Sequence, residues 1–324
     1  MKRARVGIVG GTGYTAGELI QLLVHHPYAS LSWAVSRSEA GKPIAEVHEA
    51  LMGVTDLRFC DSVPDEEVDV IFLCLPHGAT RQFLSAHELP ASAKIIDLSR
   101  DYRLAATAEG FVYGLPEWQA PRIAEASRVA NPGCFATALQ LSLLPLAKAG
   151  LLMQEVHVHA LTGATGAGRR LSPTTHFAWR TANVSVYKPF RHQHMDEVRQ
   201  TLQAAQGKVL PPIHFVPMRG PWARGIYASV YTHVDLSEPE LWALYDETFA
   251  QAPFTVRIAQ PVSLKQVVNT NRCLMHIARH GDVVHITCAI DNLLKGASGQ
   301  AVENMNLMCG WPRTAGLDLK PSVF

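Results

Sequence analysis

Along roughly the first 150 residues, short unbroken apolar runs alternate with stretches whose apolar residues recur at helical spacing. Residues 5–9 form one such run, followed by a glycine turn and then by Leu19, Ile20, Leu22 and Leu23 on one helical face. Residues 30–35, 68–75 and 94–98 read as further strands, with a helix-like stretch over 80–89. Unbroken apolar strands are those covered on both faces, so this rhythm predicts a parallel, doubly wound α/β sheet. Beyond about residue 150 the period becomes two: residues 225–234 (GIYASVYTHV) set Ile226, Ala228, Val230 and Val234 on one face, and 273–278 and 283–290 look similar. The expectation is a second, α+β domain built mostly on antiparallel sheet, with a last helix over 291–308.

Composition narrows the function classes. The chain has 324 residues, enough for about two domains. Charged residues make up only 18%, below the ~25% of an average soluble domain, so much surface is expected to be hidden inside the chain or between subunits. Twenty-nine basic against 28 acidic residues leave a formal charge of +1, with no excess to draw the chain to nucleic acid or an anionic membrane. The longest apolar stretch, 139–153, is interrupted by Pro145 and Lys148 and is too short to span a bilayer. The N-terminus lacks the apolar core of a signal peptide, and a cytoplasmic protein is expected. The six cysteines show no C-x-x-C pair, which suits free thiols in a reducing compartment.

The glycine turn GIVGGTGYTAG (7–17) lies between a strand and a helix, where backbone N–H groups and a helix N-terminus hold a pyrophosphate. Gly10 and Gly13 permit close approach, and Thr12 and Thr15 offer hydroxyls; the spacing is not G-x-G-x-x-G, and a plain packing turn is the competing reading. At the end of the second strand, where an NAD site places Asp or Glu, the chain reads Ser36-Arg37-Ser38. A cation and two hydroxyls suit a 2′-phosphate, which favours NADP(H); Arg37 as an ordinary surface charge is the alternative.

Asn131-Pro132-Gly133-Cys134 opens an apolar helix over 136–147. Proline is favourable just inside a helix start, so Pro132 is expected there and Cys134 in the first turn, where free N–H groups and the helix dipole stabilise a thiolate and a developing oxyanion. Such a thiolate suits attack on an acyl carbon; a buried structural cysteine is the bland alternative. Arg191-His192-Gln193-His194 precedes a helix-like stretch and supplies candidate proton carriers. His-x-His at 157/159 and 192/194 lacks the companions of a zinc site, and no metal is expected. The loop TGATGAGRR (162–170) ends in two guanidinium groups suited to a phosphate or carboxylate; Tyr187, Lys188, Arg219 and Arg224 offer further charge or hydrogen bonds, although each alone reads as a surface residue.

Together GIVGGTGYTAGELIQLL, DLSRDYRL (97–104), YGLPE (113–117), NPGCFAT, TGATGAGR, RHQH with EVRQ, PMRG with RGI, and IDNLLKGASGQAVENMNL (290–307) resemble the N-acetyl-γ-glutamyl-phosphate reductases of arginine biosynthesis, relatives of the aspartate-semialdehyde dehydrogenases. The match runs in order over nearly the whole chain. The resemblance implies a Rossmann domain over 1–134 plus 291–324 and an α+β substrate and oligomerisation domain over 135–290. It implies NADP(H) on Gly10, Thr12, Gly13, Tyr14, Thr15 and Gly17, with Gly166 and Asn292 from the matching loop and D-N-L-x-K-G segment; Ser36, Arg37 and Ser38, read from the end of the second strand, complete the expected cofactor site. Cys134 corresponds to the nucleophile and His192 to the catalytic histidine. Arg103, Asn131, Gly168, Arg169 and His194 fall to the substrate, an acyl phosphate that yields inorganic phosphate. A homo-oligomer, dimer or tetramer, is implied. TGATGAGR stands where a serine-bearing loop is frequent, and YKPF with RHQH (187–194) replaces a simpler lead. These departures leave the acyl group open, acetyl being the default and succinyl or larger the alternative. Aspartate-semialdehyde dehydrogenase activity, a non-catalytic NADP sensor and a structural interaction protein are the remaining readings.

Overall fold

The computed structural model describes residues 3–322. It divides into two compact units, one of Met1–Pro132 with Ala297–Asp318, the other of Gly133–Gly296 with Leu319–Phe324. Cys134 and Asp291 to Gly296 therefore lie in the second unit.

The first unit holds seven strands, β1 (Ala4–Val9), β2 (Ala29–Val35), β3 (Phe59–Cys60), β4 (Val70–Leu73), β5 (Lys94–Asp97), β6 (Val112–Tyr113) and β7 (Arg128–Ala130), in the order β3-β2-β1-β4-β5-β7-β6. Every pairing is parallel. The apolar runs are buried as their lack of alternation requires: Val6, Ile8, Val70, Ile71, Phe72 and Ile96 are fully covered. Strand order reverses between β1 and β4, so the loop after β1 sits where ligands of such sheets bind. Helices α1 (Tyr14–Val24), α2 (Ala79–Ala86) and α3 (Pro116–Glu125) belong to this unit, as does the C-terminal helix Ser298–Met308, which packs against α1 and α3. Gly114 admits that helix, because a β-carbon there would stand 2.5 Å from Asn304 Nδ2.

The second sheet is mixed, with β8 (Val156–Thr162), β9 (Ser185–Val186), β10 (Ile213–Arg219), β11 (Ile226–His233), β12 (Thr255–Arg257), β13 (Cys273–His280) and β14 (Val283–Ile290) in the order β12-β13-β14-β11-β8-β10-β9. Antiparallel pairing dominates, with β8/β10 and β12/β13 parallel. On β11, alternate residues Ile226, Ala228 and Val230 are fully buried, as the period of two predicts. They face α4 (Cys134–Lys148), which is buried all round from Phe135 to Ala147 and also packs on α5 (His194–Gln206) and α6 (Glu238–Thr248).

Two local expectations are corrected. The helix expected over 291–308 begins only at Ser298, because the Asp291 carboxylate takes the N–H groups of Leu293 (2.8 Å) and Leu294 (3.1 Å) and closes a turn instead. Pro132 stands two residues before the first residue of α4, outside the helix, whose N-cap is Gly133. Among the described residues, no helix is long and apolar enough to cross a membrane, and no group of three or more His, Cys, Asp or Glu could hold a metal ion.

Candidate active site

In the first unit, the turn after β1 leaves a backbone cradle at the start of α1. Gly10 has φ of +89°, a conformation that side chains resist, and a β-carbon there would strike the Cys74 carbonyl oxygen at 2.6 Å. Gly13 is the N-cap and offers no side chain, so the first-turn N–H groups of α1 have no capping oxygen. Nothing fills that space: a β-carbon on Gly13 would meet only Thr15 Oγ1, at 4.0 Å. A pyrophosphate fits such a cradle. Tyr14 is exposed beside it. Gly17 serves packing, since its α-carbon lies against the His48 ring, and His48 Nε2 in turn holds the Gly11 carbonyl at 2.7 Å. Past the end of β2, Ser36 is buried and its hydroxyl accepts from the Glu39 N–H and lies 3.4 Å from Ser38 Oγ. Arg37 is exposed and has no carboxylate partner among the described residues.

In the second unit, Cys134 is the first residue of α4 and is half-buried. Two glycines make its seat. A β-carbon on Gly296 would stand 2.7 Å from Cys134 Cβ, and one on Gly133 would run into His194 Nε2, so the His194 ring lies on the Gly133 α-carbon. The Gly133 N–H donates to Glu197 Oε2 over 2.9 Å inside the protein. Gln140 on α4 donates to the Glu197 carbonyl and the Thr201 hydroxyl, so polar bonds tie α4 to α5.

His192 and His194 are buried neighbours, with ring centroids 4.6 Å apart and nearly perpendicular. The His192 ring packs edge-on against Phe135, the residue after the cysteine, at 5.3 Å. His192 Nδ1 accepts the His194 N–H at 3.2 Å, which leaves the neutral ring its proton on Nε2. Burial, with the Lys188 charge adding to it, lowers the His192 pKa to about 4. The imidazole is therefore neutral at pH 7. Tyr187 lies 5.7 Å from His192, and its phenol is pushed well up by burial and by the charge on Cys134, with Arg219 opposing.

The glycine-rich loop is held by Asn292. Its Oδ1 accepts the Gly225 N–H at 2.6 Å and its Nδ2 donates to Thr165 Oγ1 at 3.1 Å, so it clamps two turns. The preceding Asp291, fully buried, takes Arg224 through both oxygens, at 3.0 and 3.3 Å. Gly166, Gly168 and Arg169 are exposed at the loop tip. In the first unit Arg103 donates to the carbonyls of Asn131 and Leu98, and the Asn131 amide bridges Asn304 and the Ala297 carbonyl. Those two side chains fasten the backbone that leads to Pro132.

Sequence reasoning missed Glu197 and Gly296 as parts of the cysteine's seat. Glu197 stands in the first turn of α5, where acids are common for dipole reasons alone, so nothing local marked its bond to residue 133.

Comparison with known proteins follows the same division. A family model described as semialdehyde dehydrogenase, NAD binding domain, matches residues 5–126, and one described as semialdehyde dehydrogenase, dimerisation domain, matches 134–292. Proteins named N-acetyl-gamma-glutamyl-phosphate reductase from Phocaeicola vulgatus and Bacteroides fragilis are 49% and 50% identical over 320 residues, 99% of each chain. Among solved structures, aspartate semialdehyde dehydrogenase II complexed with ASA from Vibrio cholerae has a TM-score of 0.72 at 16% identity, covering 96% of this chain and 99% of that one. Aspartate semialdehyde dehydrogenase with NADP from Candida albicans has a TM-score of 0.69 at 14% identity, covering 95% and 99%.

Proposed function

The chain belongs to the N-acetyl-γ-glutamyl-phosphate reductase family of the semialdehyde dehydrogenases, and from that premise we propose how it reduces N-acetyl-γ-glutamyl phosphate to the 5-semialdehyde and phosphate, a step of arginine biosynthesis. The likeness to aspartate-semialdehyde dehydrogenases supports the fold alone. The observation that carries the mechanism is the half-buried Cys134 at the uncapped start of α4, with the neutral His192 packed against the next residue.

Cys134 Sγ, as the thiolate that a helix start favours, attacks the acyl carbon and forms a thioester as the acyl–phosphate bond breaks and phosphate leaves with the electron pair. The first-turn N–H groups of α4, which Gly133 leaves without a side-chain cap, donate to the carbonyl oxygen as it gains charge. NADP(H) is the cofactor this reading assigns, held by Gly10, Thr12, Gly13 and Thr15 with Arg37 toward the 2′-phosphate, and when bound it supplies a hydride for the thioester carbon. His192, its proton on Nε2, donates a hydrogen bond to the oxyanion of the hemithioacetal. Collapse of that oxyanion to the aldehyde breaks the C–S bond and restores the thiolate, so His192 need not surrender its proton. This differs from a histidine that starts the cycle protonated, because its ring is neutral at pH 7. His194, lying on Gly133, borders the same helix start and is assigned to substrate contact.

The match to a dimerisation domain supports a homo-oligomer, dimer or tetramer, and the biosynthetic role supports a cytoplasmic setting.

The test is the reverse reaction, NADP+ reduction with N-acetylglutamate 5-semialdehyde and phosphate. Wild-type turnover with a loss of at least about 10³-fold in Cys134→Ser is expected. Unchanged turnover in that variant overturns the thioester mechanism.

A further inference from the structure

Two Arg-Gly dipeptides lie five residues apart, and the structure uses them differently. Arg224 is neutralised by the buried Asp291. Arg219, at the end of β10, has no carboxylate partner among the described residues, and its Nε is buried without a hydrogen bond. Its guanidinium lies over the Tyr187 ring, 4.8 Å from the centroid, and within hydrogen-bonding reach of the hydroxyl. Tyr187 in turn packs on His192 and senses the charge on Cys134.

More positive charge gathers at the same place. Arg180 is buried, donates to the carbonyls of Arg219 (2.6 Å) and Asn183 (3.3 Å) and to Ser185 Oγ (2.9 Å), and also has no carboxylate partner among the described residues. Lys188 follows Tyr187 and its charge reaches His192. The backbone that presents it is strained: Lys188 has φ of +45° and Phe190 of +60°, conformations that bulky residues avoid. That strain is held by pairing along β10, where the Tyr187 N–H bonds to the Pro217 carbonyl and the Phe190 N–H to the Phe215 carbonyl. Partly buried cations without counter-ions are costly unless an anion completes them. A guanidinium pre-oriented on an aromatic ring presents its N–H fork for a carboxylate.

We propose that Arg219, stacked on Tyr187 and flanked by Lys188, is the subsite that takes a carboxylate of the acylglutamyl substrate. The inference rests on the reductase reading and deepens it. That carboxylate has two sources, the α-carboxylate of the glutamyl unit or the far end of a dicarboxylic N-acyl group. Arg180 positions Arg219 and does not itself touch the substrate.

The experiment measures KM and kcat in the oxidative direction with N-acetyl- and N-succinylglutamate 5-semialdehyde for wild type, Arg219→Gln and Arg219→Lys. A semialdehyde KM raised at least about tenfold in Arg219→Gln is expected, with kcat within about twofold, phosphate KM unchanged and partial recovery in Arg219→Lys. An equal rise with both substrates assigns the α-carboxylate; a rise with the succinyl substrate alone assigns the acyl end. An unchanged KM with both, a rise in phosphate KM alone, or a kcat loss that tracks a fallen Tm overturns the subsite. Should Arg219→Gln not fold, the KM of Arg219→Lys decides, and a wild-type value overturns the proposal. Wild type inactive on both substrates instead overturns the reductase reading itself.

Discussion

The main-chain N–H of Gly133 donates to the carboxylate of Glu197, 64 positions further along the chain, over 2.9 Å and out of reach of water. The bond fixes the residue before Cys134 to the helix that begins at His194. It sets the direction in which α4 starts, and with it where Cys134 points.

Removing that acceptor leaves a buried N–H without a partner. Glu197→Ala should cost ~1–3 kcal/mol, the penalty for an unsatisfied buried group that had bonded to a charge, and Glu197→Gln less. Urea unfolding at pH 7 measures the difference, and equal midpoints for wild type and Glu197→Ala would refute the role.

Gly296→Ala places a β-carbon 2.7 Å from Cys134 Cβ, closer than any ordinary contact. The cysteine or the turn after Asp291 must shift, and a misplacement of that kind costs on the order of 10²-fold in rate. A kcat fall with far-UV circular dichroism retained is expected; a wild-type kcat would show that the seat is not tight.

The low His192 pKa gives a pH dependence with a definite sign. The unfolded chain, with its histidine near 6.5, binds more protons than the native protein between that value and about 4, so the stability held by the neutral ring is complete above 6.5 and is lost as pH falls toward about 4. The effect is on the order of 3 kcal/mol at most. Chemical denaturation across pH 4–7, compared with His192→Gln, isolates it. Because Lys188 contributes to the lowering, Lys188→Gln should move the ring's titration up toward 6.5, read by imidazole nitrogen NMR.

Among the described residues Arg37 has no carboxylate to hold, so its removal should be felt mainly by the cofactor. Arg37→Ala should raise the NADP+ KM by about 10–100-fold, the worth of a charge-assisted contact to phosphate, and leave that for NAD+ nearly unchanged. Equal effects on both nucleotides would place the 2′-phosphate elsewhere.

Much of this was legible in the chain itself. Unbroken apolar runs such as VIFL (70–73) encode strands buried on both faces, and alternation in 226–233 encodes a one-sided strand, because burial period is a local property. Cys134 at a helix start followed from Pro132 and Gly133 beside it, since capping chemistry acts within a turn. The glycine turn after β1 was legible for the same reason: Gly10 carries its positive φ within its own dipeptide.

The partners were not legible. Nothing near Glu197 marks it for Gly133, nothing in Gly296 marks it for Cys134, and nothing near Asn292 marks its amide for Gly225 and Thr165. Nor could spacing tell Arg224, paired with Asp291, from Arg219, which is not. Local pattern determines which residues are buried and in what period; which distant polar group answers which is decided only when sheet order and helix packing bring them within 3 Å, because a hydrogen bond or ion pair depends on distance in space and carries no trace in separation along the chain.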